Sequence, residues 1–244
     1  MALLEEIISA LPAEPAPVRR VLLGIHWTVV CSRFCGLAST LTSEHLAHVD
    51  LDGVGHYQNR SAQELARLAL NENHLERSIG VAAINSLLDV SQFHSVEMNA
   101  STWLYAHAPG KRVTIVGHFP FVNEVRALAK DLWVLEKNPR PGDIPAEESA
   151  PYLGQADIVA ITGSAVVNGS MESVLAMCNP AATVMVLGPS TPLSPVLFEH
   201  GVSILSGSQV MDEAGTLLNI EQGASFPQLN GVKRITLFNK ETDQ

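Results

Sequence analysis

The chain has 244 residues, 46% of them hydrophobic and 16% charged, with a formal net charge of −10. This composition excludes a disordered chain and supplies enough apolar residues for one large domain or two small ones. The acidic balance, with no Lys/Arg-rich face, argues against a binder of nucleic-acid phosphates.

Residues 2 to 11 predict a short amphipathic helix, stopped by Pro12 and the PAEPAP stretch. Glu5 and Glu6 stand where a secretion signal would carry positive charge, and no run of about 18 apolar residues predicts a membrane span. Residues 18 to 31 read as one or two strands, and FCGLAST after a short turn completes a hairpin. SAQELARLAL predicts a helix with Ser61 at its cap and Glu64 in the capping-box position. NHLERSIGVAAINSLLDV predicts a second helix with small residues on one side, suited to close packing. Strands first and helices second is an α+β order.

Near residue 100 the pattern changes. STWLYAHA reads as a helix with Ser101 as cap. RVTIVG, DLWVLEK, ADIVAITG and ATVMVLG then alternate with helices over about 122–130, 171–178 and 193–200, and VSILSG and KRITLF read as further strands. Near-continuous apolar strands alternating with helices predict a mainly parallel sheet covered on both faces. The expected division is an α+β domain over 1–97 and a doubly wound α/β domain over 98–244.

Four apolar strands end in loops suited to contact: Gly117-His118-Phe119-Pro120-Phe121, Glu136-Lys137-Asn138-Pro139, residues 162 to 170, and residues 188 to 192. In a doubly wound sheet all four emerge on one edge, where ligands bind. Thr162, Ser164, Asn168 and Ser170 supply polar side chains, and Gly163 and Gly169 let backbone approach a ligand. Ser170 is placed to cap the helix that follows, whose first N–H groups favour an anion. Ser190 and Thr191 repeat this logic between stiffening prolines.

Glu136 lies about 19 residues after Gly117, near the spacing of a ribose-binding acid, yet the loop is G-H-F-P-F-V and not G-x-G-x-x-G. Phe119 and Pro120 fill glycine positions, and Pro120 lacks an N–H donor. An ordinary dinucleotide cradle is therefore disfavoured, and no P-loop motif occurs. His118, at the end of its strand, suits proton transfer or metal ligation, or a plain backbone hydrogen bond.

The three cysteines are Cys31, Cys35 and Cys178. An odd, low count fits a reducing cytoplasm better than a disulfide framework. If residues 32 to 34 form a bend, Cys31 and Cys35 face each other and can take a soft metal, but no second C-x-x-C or H-x-x-H partner completes a zinc site. His45, His48 and His56, with Asp50 and Asp52, form a second candidate metal set in a polar loop. No G-x-S-x-G elbow, H-E-x-x-H motif or obvious Schiff-base lysine is present.

RVTIVGHFPFV, ADIVAITGSAVVNGSMESVL and VMVLGPSTPLSPVLFEHGV resemble the Rossmann-like domain of the family called putative heavy-metal chelation proteins. SIGVAAINSLL and CGLAST resemble its companion, an enolase-N-terminal-like α+β domain. The resemblance spans nearly the whole chain. Its matching motif positions are Gly117 to Pro120, Thr162, Ser164, Asn168, Ser170, Gly188, Ser190 to Pro192, Gly80 and Asn85, and the cysteines lie outside the matched loop motifs. It implies heavy-metal chelation and a link to metal-cofactor pathways, but no established catalytic set.

The combined expectation is a cytoplasmic two-domain protein, dimeric by default, that touches neither membrane nor nucleic acid. It binds a small molecule or metal complex, with a transition metal ion as the candidate cofactor. The site lies in the interdomain cleft, lined by Gly117, His118, Phe119, Glu136, Thr162, Gly163, Ser164, Asn168, Ser170, Ser190, Thr191 and Asn85. His118 is the candidate metal ligand. The alternatives are an enzyme acting on a nucleotide-like or other anionic substrate in the same cleft, and an accessory protein for metallocofactor assembly.

Overall fold

The computed structural model describes residues 2–42 and 50–239. His45 and His48 of the histidine-loop metal set fall outside the described residues; of the rest, Asp52 is paired with Arg60 at 2.8 Å.

The chain opens with α1 (Leu3–Ser9), then β1 (Arg20–Leu23), β2 (Trp27–Cys31) and β3 (Cys35–Ser39), followed by α2 (Ala62–Ala66) and α3 (His74–Leu87). The three strands form an antiparallel sheet in the order β1-β2-β3. Side chains alternate across it. Val30 and Ala38 join the core under α3, whereas Val29, Cys31 and Leu37 pack on the other face with Ile220 and Leu229.

β4 (Ser95–Glu97), α4 (Ala100–His107), β5 (Arg112–Val116), α5 (Val122–Leu128), β6 (Asp131–Glu136), β7 (Ile144–Pro145) and α6 (Ala150–Gln155) follow. The chain continues through β8 (Ile158–Thr162), α7 (Ser164–Val167), α8 (Met171–Met177), β9 (Thr183–Leu187), α9 (Val196–Glu199), β10 (Ile204–Val210), α10 (Glu213–Glu221) and β11 (Val232–Phe238). The second sheet runs β4-β11-β10-β9-β8-β5-β6-β7. Its six strands from β10 to β7 pair in parallel, and β11 and β4 add antiparallel pairings at one side. Ser95–Glu97 therefore belongs to the large sheet.

The apolar strands are buried on both faces. In β8, Ile158 and Ala160 join a cluster with Leu104 and Val125 of α4 and α5, while Val159 and Ile161 face the opposite core. That second core is continuous with the one beneath α3: Ile7, Ile79 and Ile84 share a cluster with Val159, Val186 and Leu205. The two sheets are thus joined by packed apolar side chains rather than by a bare linker.

Three local expectations change. The cap of α4 is Asn99, whose side chain accepts from the Ser101 N–H, so Ser101 lies inside the helix. Ser170 sits at the start of α8, but its hydroxyl donates to Asn168 Oδ1 instead of capping. The helix expected over 193–200 shrinks to Val196–Glu199, because Pro192 and Pro195 cannot donate to a helical ladder. The capping box of Ser61 and Glu64 is present as expected.

Candidate functional site

The order of the parallel strands locates the site. From β5 the chain moves outward to β6 and β7, then returns to β8 on the other side of β5 and continues to β9 and β10. The strand order therefore reverses between β5 and β8. In open α/β sheets, ligands bind outside the carboxyl ends of the strands at such a switch point.

Gly117 ends β5 with φ +94, and a side chain there would press on Thr162 Cγ2 at 3.0 Å. Glycine thus lets the two switch-point loops close on each other. His118, Thr162 and Ser164 each face two cavities. The first, about 870 Å³, also takes in Gly117, Glu136, Lys137, Glu147, Asn168, Ser170 and His74. The second, about 520 Å³, is more aromatic and includes Phe119, Phe121, Trp27, Phe226 and Arg234. Phe119 and Phe121 stack at 5.0 Å, and the Arg234 guanidinium lies 5.2 Å from the Phe226 ring centre.

A chain of hydroxyls closes the cleft from the small sheet. Ser39 Oγ is 2.9 Å from Ser164 Oγ and 2.9 Å from Ser190 Oγ, and the Ser39 N–H donates to Ser190 Oγ at 2.8 Å. β3 is an edge strand, and these bonds cover the end of that edge with the loops of the large sheet.

The other expected site residues divide. Gly163, Thr191 and Asn85 stand behind the cavity wall. A side chain at Gly163 would overlap the Thr191 backbone nitrogen. Asn85 Nδ2 donates to Leu37 O at 2.8 Å and to Ser190 O at 3.5 Å, tying β3 to the 188–192 loop. The Glu136 carboxylate is already engaged, accepting from the Lys137 N–H at 2.8 Å.

Several lining residues lie outside the four strand-end loops: Ser39, Trp27, Phe226 and Arg234 reach the cleft from other segments. Arg77 supports the 162–170 segment from α3. Its guanidinium donates to the carbonyls of Val166 and Val167, holding the end of α7, and burial pushes its pKa down.

His118 Nε2 lies 3.6 Å from Asp143 Oδ1, and its Nδ1 lies 3.5 Å from Arg140 Nη1. One ring nitrogen thus faces a carboxylate and the other a guanidinium, whose charge opposes a cation on that side. The other polar side chains of the cleft are mostly hydroxyls, amides and carboxylates, which suit hard ions and polar groups better than a soft metal.

The thiol expectation is corrected here. Residues 32 to 34 do form the bend and Cys31 faces Cys35, but the two sulfurs are joined as a disulfide. Cross-strand pairing within a tight hairpin brings the two β-carbons together whatever the total number of cysteines. Cys178 stays free, and burial pushes its thiol up to about 11.

The profile of a family described as "Putative heavy-metal chelation" (DUF364) matches residues 99–239, and a second profile with the same description (DUF4213) matches 4–88. The chain belongs to the DUF364 family. Among its relatives, an uncharacterized protein of Methanocaldococcus jannaschii is 26% identical over 209 residues, covering 82% of this chain and 79% of that one. A DUF364 protein of unknown function from Desulfitobacterium hafniense has a solved structure with 26% identity and a TM-score of 0.84, covering 97% of this chain and 98% of that one. A DUF364 structure from Pyrococcus horikoshii, 20% identical with the same coverage and a TM-score of 0.82, shares the fold.

Proposed function

We propose that this protein binds a small anionic or polar molecule, free or as a metal complex, in the two-lobed cleft at the switch point. The observation that carries this reading is the placement of His118, Thr162 and Ser164, which sit at the strand reversal and face both cavities. One ligand spanning both lobes would meet hydroxyls and imidazole at its centre, Lys137 on one side, and Arg234 with the stacked Phe119 and Phe121 on the other. Polar groups there fix orientation, and the aromatic lobe supplies apolar contact. The family description favours a metal in the ligand. The donor set favours a metal that arrives with its own ligands, because His118 is flanked by one carboxylate and one guanidinium.

The continuous core beneath the cleft supports a largely pre-formed site. The test is native mass spectrometry of the purified protein, followed by thermal-shift measurement with nucleotides, phosphorylated metabolites and metal chelates. The expected result is a stabilising ligand of about 1:1 stoichiometry whose effect is lost in His118→Ala. A ligand that stabilises His118→Ala as strongly as the parent protein would refute the role of that residue.

A further inference from the structure

The family description points to heavy metals, and the cleft is poor in soft donors. The described residues do hold one soft-donor group. Cys31 Sγ, Cys35 Sγ and a Glu213 carboxylate oxygen all lie within 4.8 Å of one another, and no other such group of His, Cys, Asp or Glu occurs among the described residues. We propose that Cys31, Cys35 and Glu213 form a metal site that is closed while the two sulfurs are joined and admits a thiophilic cation once a dithiol has reduced them.

Contacts other than the sulfur–sulfur bond also hold the three groups in place. Cys31 and Cys35 are register partners of the β2–β3 hairpin. The bend between them is held by the Ser32 N–H donating to Phe34 O at 2.8 Å and the Phe34 N–H donating to Ser86 O at 2.9 Å. Ser32 Oγ, 2.6 Å from Ser86 Oγ, fastens the same bend to the end of α3. Glu213 opens α10, which packs through Ile220 on the sheet face that carries Cys31. Ligand atoms around a tetrahedral ion with bonds of about 2.0–2.3 Å stand roughly 3.3–3.8 Å apart, a spacing that three groups so placed can meet once the sulfurs part. Two thiolates select soft and borderline ions such as cadmium and zinc over calcium or magnesium. Water or a further small donor completes four-coordination.

The steps balance. A dithiol gives two electrons and two protons to the bridge and leaves as its own disulfide, so Cys31 and Cys35 become thiols. The cation then binds two thiolates and one carboxylate, and the two thiol protons pass to solvent. Glu213 exchanges Arg19, now 2.6 Å away, for the metal, and the Arg19 side chain, 46% exposed, is free to turn into water.

This site is distinct from the cleft and does not rest on the function proposed for it. The experiment uses the full chain, reduced with a phosphine under anaerobic conditions, desalted, and titrated with Cd²⁺ against a chromophoric chelator. The expected result is one Cd²⁺ per reduced chain with a thiolate-to-cadmium charge-transfer band, and no such band in the oxidised chain. Cys35→Ser removes the band, and Glu213→Gln weakens affinity about tenfold or more. Arg19→Gln tightens binding, because the competing cation is gone. Cys178→Ser leaves stoichiometry and band unchanged. Circular dichroism follows the fold throughout. Equal Cd²⁺ binding by oxidised and reduced protein, equal binding by Cys35→Ser, or unfolding on reduction alone each overturns the proposal. The comparison of oxidised with reduced parent chain needs no variant, so it holds even if a cysteine variant fails to fold.

Discussion

At the scale of single residues, charge is used sparingly and in pairs. Asp157 accepts from the backbone N–H and the guanidinium of Arg112, and these bonds hold its carboxyl at about 2, below the ordinary 3.8. The ionised form is favoured by folding, so its contribution is complete above about pH 4 and disappears as pH falls toward 2. Unfolding of the parent and of Asp157→Asn should therefore differ at about pH 5 and converge near pH 2, as measured by urea titration. A difference that persists at the acid end would show that the pair acts through packing, not charge. Residues with recognisable spacing, such as His118, Thr162 and Ser164, were legible as cleft residues because strand ends announce themselves through glycine and a change of polarity. Ser39, Trp27 and Arg234 were not. Each reaches the cleft from a segment that looks like an ordinary strand; packing of the small sheet on the large one brings Ser39 and Trp27 there, and antiparallel pairing of β11 brings Arg234.

At the scale of elements, strands and helices followed apolar periodicity, and the misjudged details concern which small polar side chain caps. Asn99 and Asn168 instead accept from the N–H groups of Ser101 and Ser170 themselves, so each amide oxygen organises the turn two residues before the position expected to cap. β4 is not legible in the sequence because it is three residues long, with one apolar residue, and it stays exposed. Close approach, by contrast, was written in the small residues of α3. A methyl group at Gly36 would overlap Ala82 O and Ser86 N, and one at Gly80 would overlap Ala69 N. In both cases the obstacle is backbone, which cannot rotate away. Gly36→Ala and Gly80→Ala should each destabilise the protein by about 1–3 kcal/mol or more, the range for overpacking, seen as a lower denaturant midpoint. Near-parental stability in either variant would mean that α3 can slide on its neighbours.

At the scale of the whole molecule, one core runs from α1 and α3 into the face of the large sheet. No helix of the described residues is long and apolar enough to cross a membrane. Stability is therefore shared, and the hairpin disulfide adds only a local constraint. It joins residues four apart, and closing so short a loop contributes about 2 kcal/mol in the chain-entropy account. Reduction should lower the unfolding free energy by about that amount, read as a lower denaturant midpoint, and leave a cooperative transition. A collapse of the transition would instead assign the bridge a dominant structural part.

The three residues that face both cavities have a thermodynamic consequence. An occupant of the 870 Å³ lobe and one of the 520 Å³ lobe must draw on the same imidazole and the same two hydroxyls. Their binding free energies then cannot simply add. Whatever one occupant does to the affinity of the other, the other must do in equal measure to the first. Two separate molecules would meet as competitors for those hydrogen bonds. A single molecule long enough to reach both lobes would use them once, and it would hold the cleft against either fragment alone.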